Sequence, residues 1–263
     1  MLSLDGRVAV VTGGTGAIGG AIARGLSNAG ARVVVLARRV DGLPPLDDET
    51  EGPVGVAADV LDLAMLERAR DAVVERFGAV HVLVNCAGGN IPAALLTDDR
   101  SPFDLPPDAL REVVDLNLLG TVLPTQVFGA AMAPATGCSI VTVSSMAAAR
   151  ALTRVGGYGA AKAAVESYTR WLAVELARRD TGIRVNSIAP GFLIGEQNRR
   201  LLVREDGELT ERGDAVVAHT PLGRFGDPDD LVSTVLWLVS DESRFVTGIV
   251  VPVDGGFSAF AGV

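Results

Sequence analysis

Short runs of β-branched residues alternate with longer stretches rich in Ala, Leu and Arg along the whole chain. The runs predict strands at Val8–Thr12, Arg32–Ala37, Val54–Ala58, His81–Asn85, Ser139–Ser144, Arg184–Ile188 and Ile249–Val253. The stretches between them predict helices at Ile18–Asn28, Leu63–Phe77, Pro107–Ala133, Gly157–Arg179 and Asp229–Val239. Most strands are apolar without alternation, as in Val33-Val34-Val35-Leu36, a pattern that burial on both faces requires. Strands alternating with helices then imply a doubly wound α/β fold: a seven-stranded parallel sheet with helices on both faces.

Two segments are too polar for the core. Val40–Gly52 carries Pro44, Pro45 and the acidic run Asp47-Asp48-Glu49 and reads as a solvated loop. Gly195–His219 is dense in charge between the sixth strand and the last helix, and reads either as a plain surface excursion or as a lid. Lids sit over the carboxyl ends of strands, where open α/β sheets bind ligands, so a substrate lid at 192–220 is the favoured expectation. No linker or internal repeat divides residues 1–263, which are expected to form a single dinucleotide-binding catalytic domain.

Composition narrows the function. The only cysteines are Cys86 and Cys138 and the only imidazoles His81 and His219, which leaves no disulfide scaffold, zinc finger or three-histidine metal site. A formal charge of −9 is the wrong sign for binding nucleic acid through phosphate neutralisation. Apolar runs are broken by Gly or charge before reaching the ~18 residues of a membrane span, and the first residues form no apolar signal segment. A cytoplasmic protein acting on a small molecule is expected, with no membrane and no nucleic acid as partner.

The first strand runs through Thr12-Gly13-Gly14-Thr15-Gly16-Ala17-Ile18-Gly19 into a helix. In that strand–turn–helix setting Gly14, Gly16 and Gly19 have the dinucleotide-binding spacing of a Rossmann fold, because the backbone can approach a pyrophosphate lying on free N–H groups at the helix N-terminus. Gly13, Thr15, Gly16 and Ile18 are therefore cofactor-binding candidates. An acidic residue at the end of the second strand would hold the ribose 2′-OH of NAD, but the chain reads Ala37-Arg38-Arg39 there. Arg38 favours the 2′-phosphate of NADP. Stacking of Arg38 on adenine, or Asp41 reaching back, keeps NAD open as the alternative.

Tyr158 and Lys162 are one helical turn apart on one face. A lysine so placed is expected to favour phenolate and bring the tyrosine towards usable acid–base chemistry. With them come the glycine turn, Asn85-Cys86-Ala87-Gly88 after the fourth strand and Ser144-Ser145 closing the fifth.

This ordered set resembles the short-chain dehydrogenase/reductase family. The resemblance implies that Ser145 hydrogen-bonds the substrate oxygen and that Tyr158 is the catalytic acid/base. It further implies that Lys162 binds the nicotinamide ribose and tunes Tyr158, and that Asn117 organises a proton-relay water. By the same resemblance Asp59 and Val60 contact the adenine end, Asn85, Ala87 and Gly88 border the cofactor, and Pro190-Gly191 forms the turn beside the nicotinamide. The chain departs from the family pattern in having Ala17 for a glycine, Cys86 for an asparagine, Gly195 for a threonine and His81 for an aspartate.

From Asn85 to Val263 a narrower resemblance to the D-mannonate oxidoreductase (fructuronate reductase) group rests on strings such as Ala87-Gly88-Gly89-Asn90, Glu196-Gln197-Asn198-Arg199, Leu209-Thr210-Glu211-Arg212-Gly213 and Gly223-Arg224-Phe225-Gly226. Members of that group follow the first string with His-Pro-Lys, where this chain has Ile91-Pro92-Ala93, a more apolar wall. The expected activity is interconversion of a secondary alcohol and a ketone, on a sugar acid or polyol such as D-mannonate/D-fructuronate. Arg154 and Arg199 are the candidates for holding the substrate anion, with surface solvation the alternative for each. The rivals are a β-ketoacyl-carrier-protein reductase, disfavoured by mutual repulsion of two acidic proteins, and a nucleotide-binding redox sensor, which would not need both Tyr158 and Lys162. The family usually forms homotetramers, and the Tyr168–Leu172–Leu176 stripe is a candidate contact.

Overall fold

Every β-branched run becomes a strand, and all lie parallel in one sheet. The computed structural model of the chain describes residues 2–49, 51–132, 137–195 and 199–262. The strands are β1 (Val8–Thr12), β2 (Arg32–Ala37), β3 (Val54–Ala57), β4 (Val82–Asn85), β5 (Ser139–Val143), β6 (Arg184–Pro190) and β7 (Val250–Val253), in the order β3-β2-β1-β4-β5-β6-β7. The helices are α1 (Ala17–Asn28), α2 (Leu63–Phe77), α3 (Pro107–Val114), α4 (Gly120–Ala131), α5 (Gly156–Arg178), α6 (Arg199–Leu202), α7 (Glu211–His219) and α8 (Val232–Val239).

The unbroken apolar strands divide residue by residue between two cores. Val8, Val10, Val34 and Leu36 join Leu66 and Val73 of α2 and Phe128 of α4 on one face. Ala9, Val11, Val33 and Val35 join Ile22 and Leu26 of α1 and Val235 and Leu238 of α8 on the other. This makes the fold doubly wound, and the single-domain Rossmann expectation is met. The strand order reverses between β1 and β4, and the crevice at the carboxyl ends of strands beside such a switch point is where ligands bind.

Strand limits shift by one or two residues from those the sequence predicts. His81 precedes β4, yet its N–H donates to Val8 O, and its Nδ1 accepts the Val8 N–H at 3.0 Å. Burial and the nearby Arg7 lower its pKa, keeping that nitrogen unprotonated as the bond requires.

Three larger differences bear on function. The single helix expected at Pro107–Ala133 is interrupted by a π turn at Asp115–Leu119, and Ala133 lies outside the described residues. Against the expectation that no stretch is long and apolar enough to span a membrane, Pro107–Ala131 passes that test by length and mean hydropathy, 1.2. A core helix passes it too, and this stretch packs Phe128 into the sheet and hydrogen-bonds Asn117 to a loop. The charge-dense segment after β6 is helical. Its α6 and α7 fold around an apolar cluster of their own, Leu202, Val203 and Val216 with Phe192, Ile194, Leu209 and Phe225. Residues 196–198, which contain most of the string Glu196-Gln197-Asn198-Arg199, lie outside the described residues, as does Thr50 of the Val40–Gly52 loop.

Candidate active site

The turn after β1 is shaped by close backbone approach. Gly13 has φ +65°, and a Cβ there would stand 2.8 Å from Ala87 Cα; one on Gly19 would stand 2.4 Å from Gly13 O. Only glycine lets the turn lie against β4 and run directly into α1. The helix starts at Gly16 with no side-chain cap and no acidic residue in its first turn, and Thr15, Gly16 and Ala17 are exposed on the carboxyl edge. A helix N-terminus built this way suits an anionic pyrophosphate. Ala87 N–H donates to Thr12 Oγ1 at 3.1 Å, tying β4 to the turn, while Ile18 packs partly into the core beneath.

Further along the edge, Arg38 and Arg39 follow β2, both exposed and in no ion pair among the described residues. Asp59 follows β3 and accepts from the Leu61 N–H at 2.9 Å; Val60 beside it is buried against α4. Asn85 ends β4 fully buried. Its Nδ2 donates to Thr125 Oγ1 at 2.9 Å, but its Oδ1 has no partner. A buried orphan acceptor at the switch point, beside an uncapped helix and glycines that no side chain could replace, fits a nucleotide cofactor.

The chemistry-bearing residues converge at β5 and the start of α5. Ser145 Oγ accepts the Ala147 N–H at 3.2 Å, which orients it at the end of β5. Tyr158 lies in the first turn of α5, its ring packed near Ile91, Ala94, Ala109 and Val113. Burial raises the Tyr158 pKa, and a hydrogen bond with Ser145 acts in the opposite direction. Lys162 is 4% exposed; its Nζ donates to Val143 O at 2.7 Å and stands 5.7 Å from the Tyr158 ring centroid. Burial lowers its pKa to about 8. The expected lowering of the Tyr158 pKa by Lys162 is thus not what the free protein shows: desolvation dominates both groups, and the ammonium is turned to a backbone carbonyl.

Asn117 sits inside the π turn, a rare helical form found at functional sites. Its Nδ2 donates to Gly89 O and Val113 O, both at 2.8 Å, and its Oδ1 accepts the Gly89 N–H at 3.1 Å. A Cβ on Gly88 would stand 2.8 Å from Asn117 Oδ1 and 3.2 Å from Lys162 Nζ, so the 88–89 backbone threads between the two side chains. Cys86 lies near Lys162, and burial pushes its thiol up to about 12, so it stays protonated.

Sequence reasoning passed over two features. Ser144 Oγ donates to Glu166 Oε1 at 3.0 Å and Arg170 Nη2 to Glu166 Oε2 at 2.9 Å, so the turn after Lys162 anchors the end of β5. The Lys162, Glu166, Arg170 spacing was the available signal. The C-terminal tail also packs against the segment after β6 and the loop after β5. His219 stacks edge-on to Phe257 at 4.6 Å, Phe192 meets the same ring at 5.4 Å, and Arg150 donates to Ser258 O.

The two substrate-anion candidates differ in setting. Arg154, in the left-handed region at φ 75°, gives Nη2 to both carboxylate oxygens of Asp98 at 2.8 Å, so a substrate would have to break that pair. Arg199 is exposed at the start of α6 and forms no ion pair among the described residues. Of the wall residues, Ile91 packs beside Tyr158 as expected. Ala93 is exposed, and Ala94 takes the buried place. Pro190 ends β6 and Gly191 N–H donates to Val253 O at 3.0 Å, fixing that turn at the mouth.

The family described as Enoyl-(Acyl carrier protein) reductase matches residues 14–258. An uncharacterized oxidoreductase of Bacillus subtilis (strain 168), UxuB, is 43% identical over 99% of this chain and 98% of its own. The D-threitol dehydrogenase of Mycolicibacterium smegmatis is 34% identical over 97% of this chain and 94% of its own. Among solved structures, a provisionally named D-mannonate oxidoreductase from Haemophilus influenza with bound NAD superposes with a TM-score of 0.90 at 35% identity, covering 99% of this chain and 98% of that one.

Proposed function

The chain belongs to the short-chain dehydrogenase/reductase family and is an NAD(P)-dependent oxidoreductase acting on CH–OH groups, and from that premise we propose that it interconverts a polyhydroxy keto acid and its alcohol, with NADP preferred. The observation that supports the substrate best is that likeness to the Haemophilus influenza protein runs the full length, lid included. A nicotinamide cofactor, when bound, supplies or accepts the hydride. Everything else falls to this chain. Ser145 and the Tyr158 hydroxyl hold the carbonyl oxygen, and Tyr158 gives it a proton as alkoxide charge develops. Lys162 presents a cation beside that ring and a donor for the ribose, and Asn117 fixes the 88–89 loop, leaving its relay-water role as part of the proposal. The turn at Gly13, Thr15, Gly16 and Ile18 holds the pyrophosphate, with Asp59 and Val60 at the adenine end and Asn85, Ala87, Gly88, Pro190 and Gly191 along the nicotinamide side.

The test is NADPH oxidation against D-fructuronate, D-fructose, less polar ketones and an acetoacetyl thioester. Turnover of fructuronate above the rest supports the keto acid. Inert fructuronate beside active neutral ketones leaves only the family chemistry.

Arg38 is the residue on which NADP preference rests, exposed and uncompensated at the end of β2. Arg38→Ala is expected to weaken NADPH by about 1.5–3 kcal/mol, the worth of a hydrogen bond to a charged group, and to leave NADH nearly untouched. Equal losses with both nucleotides, read by fluorescence titration, would assign Arg38 to adenine stacking, and a wild-type preference for NADH would reverse the cofactor order.

We place the protein in the cytoplasm, where the thiols Cys86 and Cys138 persist. A homotetramer is the assembly we propose. Leu172 and Leu176 of the expected stripe pack into the core, whereas Trp171 and Val174 beside it are each 56% exposed.

A further inference from the structure

Three guanidinium groups edge the segment that joins Ser145 to Tyr158, and they differ in what they hold. Arg154 has its charge met by Asp98. Arg150 directs Nε, at 2.9 Å, and Nη2 to one carbonyl, that of Ser258, and ties down the C-terminal tail. Arg212, in the first turn of α7, crosses from the lid to this segment and spends Nη1 on the Thr153 hydroxyl at 3.1 Å. It forms no ion pair among the described residues, and the neighbouring carboxylates of Glu211 and Asp214 are exposed and do not pair with it.

A guanidinium carries five N–H donors in a fork that matches a carboxylate, and a neutral hydroxyl takes one of them. Charge-assisted pairs are roughly twice as strong as neutral ones, so the Thr153 contact is one that a carboxylate readily displaces. Arg212 is partly covered, but Thr153 and the contact between them are exposed, so an incoming anion reaches the guanidinium without displacing a buried group.

We infer that Arg212 recognises the charge of the substrate: it exchanges the Thr153 hydroxyl for the carboxylate of a polyhydroxy keto acid. One side chain then both selects the anion and holds α7 against the loop after β5. The inference rests on the keto-acid reading above and replaces Arg154 and Arg199 as the anion partner.

The test uses D-fructose and D-fructuronate, which differ only in a terminal CH₂OH against a carboxylate, with NADPH as co-substrate. The wild type is expected to show the lower KM for fructuronate. Arg212→Gln should raise that KM by roughly ten- to a hundredfold and leave the KM for fructose within about twofold, and Arg212→Lys, which keeps the charge, should restore part of the preference. Thr153→Val, which removes only the neutral partner, should keep the preference. If Arg212→Gln raises both KM values alike, or Thr153→Val abolishes the preference, Arg212 is a strut between lid and loop and the inference fails while the keto-acid reading stands. If the wild type does not prefer fructuronate, the keto-acid reading falls before any variant is made, and this inference with it. Unchanged NADPH affinity checks the fold of each variant; should Arg212→Gln fail that check, the KM ratio of Arg212→Lys decides.

Discussion

Tyr158→Phe is expected to lower turnover by about 10²–10⁴-fold, the range that a positioned general acid contributes. The ring sits against Ile91, Ala94, Ala109 and Val113, and phenylalanine keeps those contacts, so the fold and the affinity for NADPH should hardly change. What disappears is the hydroxyl and its bond with Ser145. Because burial raises the Tyr158 pKa, the free enzyme holds the phenol protonated at neutral pH, ready to donate in the reductive direction. Alcohol oxidation needs the phenolate, so its rate should climb as pH rises towards the tyrosine pKa, while reduction is flatter through neutrality. Steady-state rates in both directions between pH 6 and 10 check the assignment. A phenylalanine variant retaining more than about a tenth of wild-type turnover, far above what loss of a general acid leaves, would remove Tyr158 from the proton-transfer role.

The parts of the fold legible in the sequence are those fixed by local physics. Continuous runs such as Val33–Leu36 demanded two covered faces, and the two cores divide those residues alternately. The glycine turn was readable because only glycine tolerates the approach of Gly19 to Gly13 O. The position of the break in the α3–α4 stretch was not readable, since the helix breakers of the stretch, Gly120 and Pro124, lie beyond the π turn and Asp115-Leu116-Asn117 contains none. The π turn is stabilised by bonds from Asn117 to Gly89, 28 residues away.

Charge misled in the same manner, because partners distant in sequence decide what a charge does. Arg154 looked available until Asp98, 56 residues earlier, took its guanidinium. The charged segment after β6 looked too polar to pack because its apolar residues, Leu202, Leu209 and Val216, are spaced across two short helices and a turn instead of forming one periodic stripe. For Lys162, proximity to Tyr158 was legible, but the depth of burial was not, and burial sets its charge.

Replacing Lys162 by methionine is expected to make the protein more stable and nearly inactive. Its pKa falls from the ordinary lysine value of 10.5 to about 8 in the folded chain. Below pH 8 both folded and unfolded chains hold the proton, and the folded one carries the whole desolvation penalty, about 3 kcal/mol for 2.5 pKa units. Between pH 8 and 10.5 the folded chain releases the proton while the unfolded chain retains it, so this contribution to stability rises with pH and the penalty is gone above 10.5. Methionine removes the penalty but leaves Val143 O without its donor, which costs about 1–3 kcal/mol. The net expectation at pH 7 is a gain of up to about 2 kcal/mol, or up to roughly 4–8 °C in Tm for a chain of this size, shrinking to a loss near pH 10. Turnover should drop at least about 10²-fold, because the cation beside Tyr158 and the ribose donor are lost together. Thermal melts of wild type and Lys162→Met at pH 7 and pH 10 read the sign directly. A variant less stable at pH 7, or a difference that does not change with pH, would mean that Lys162 carries no buried charge. The active site would then lack the destabilised cation that pairs lost stability with catalysis here.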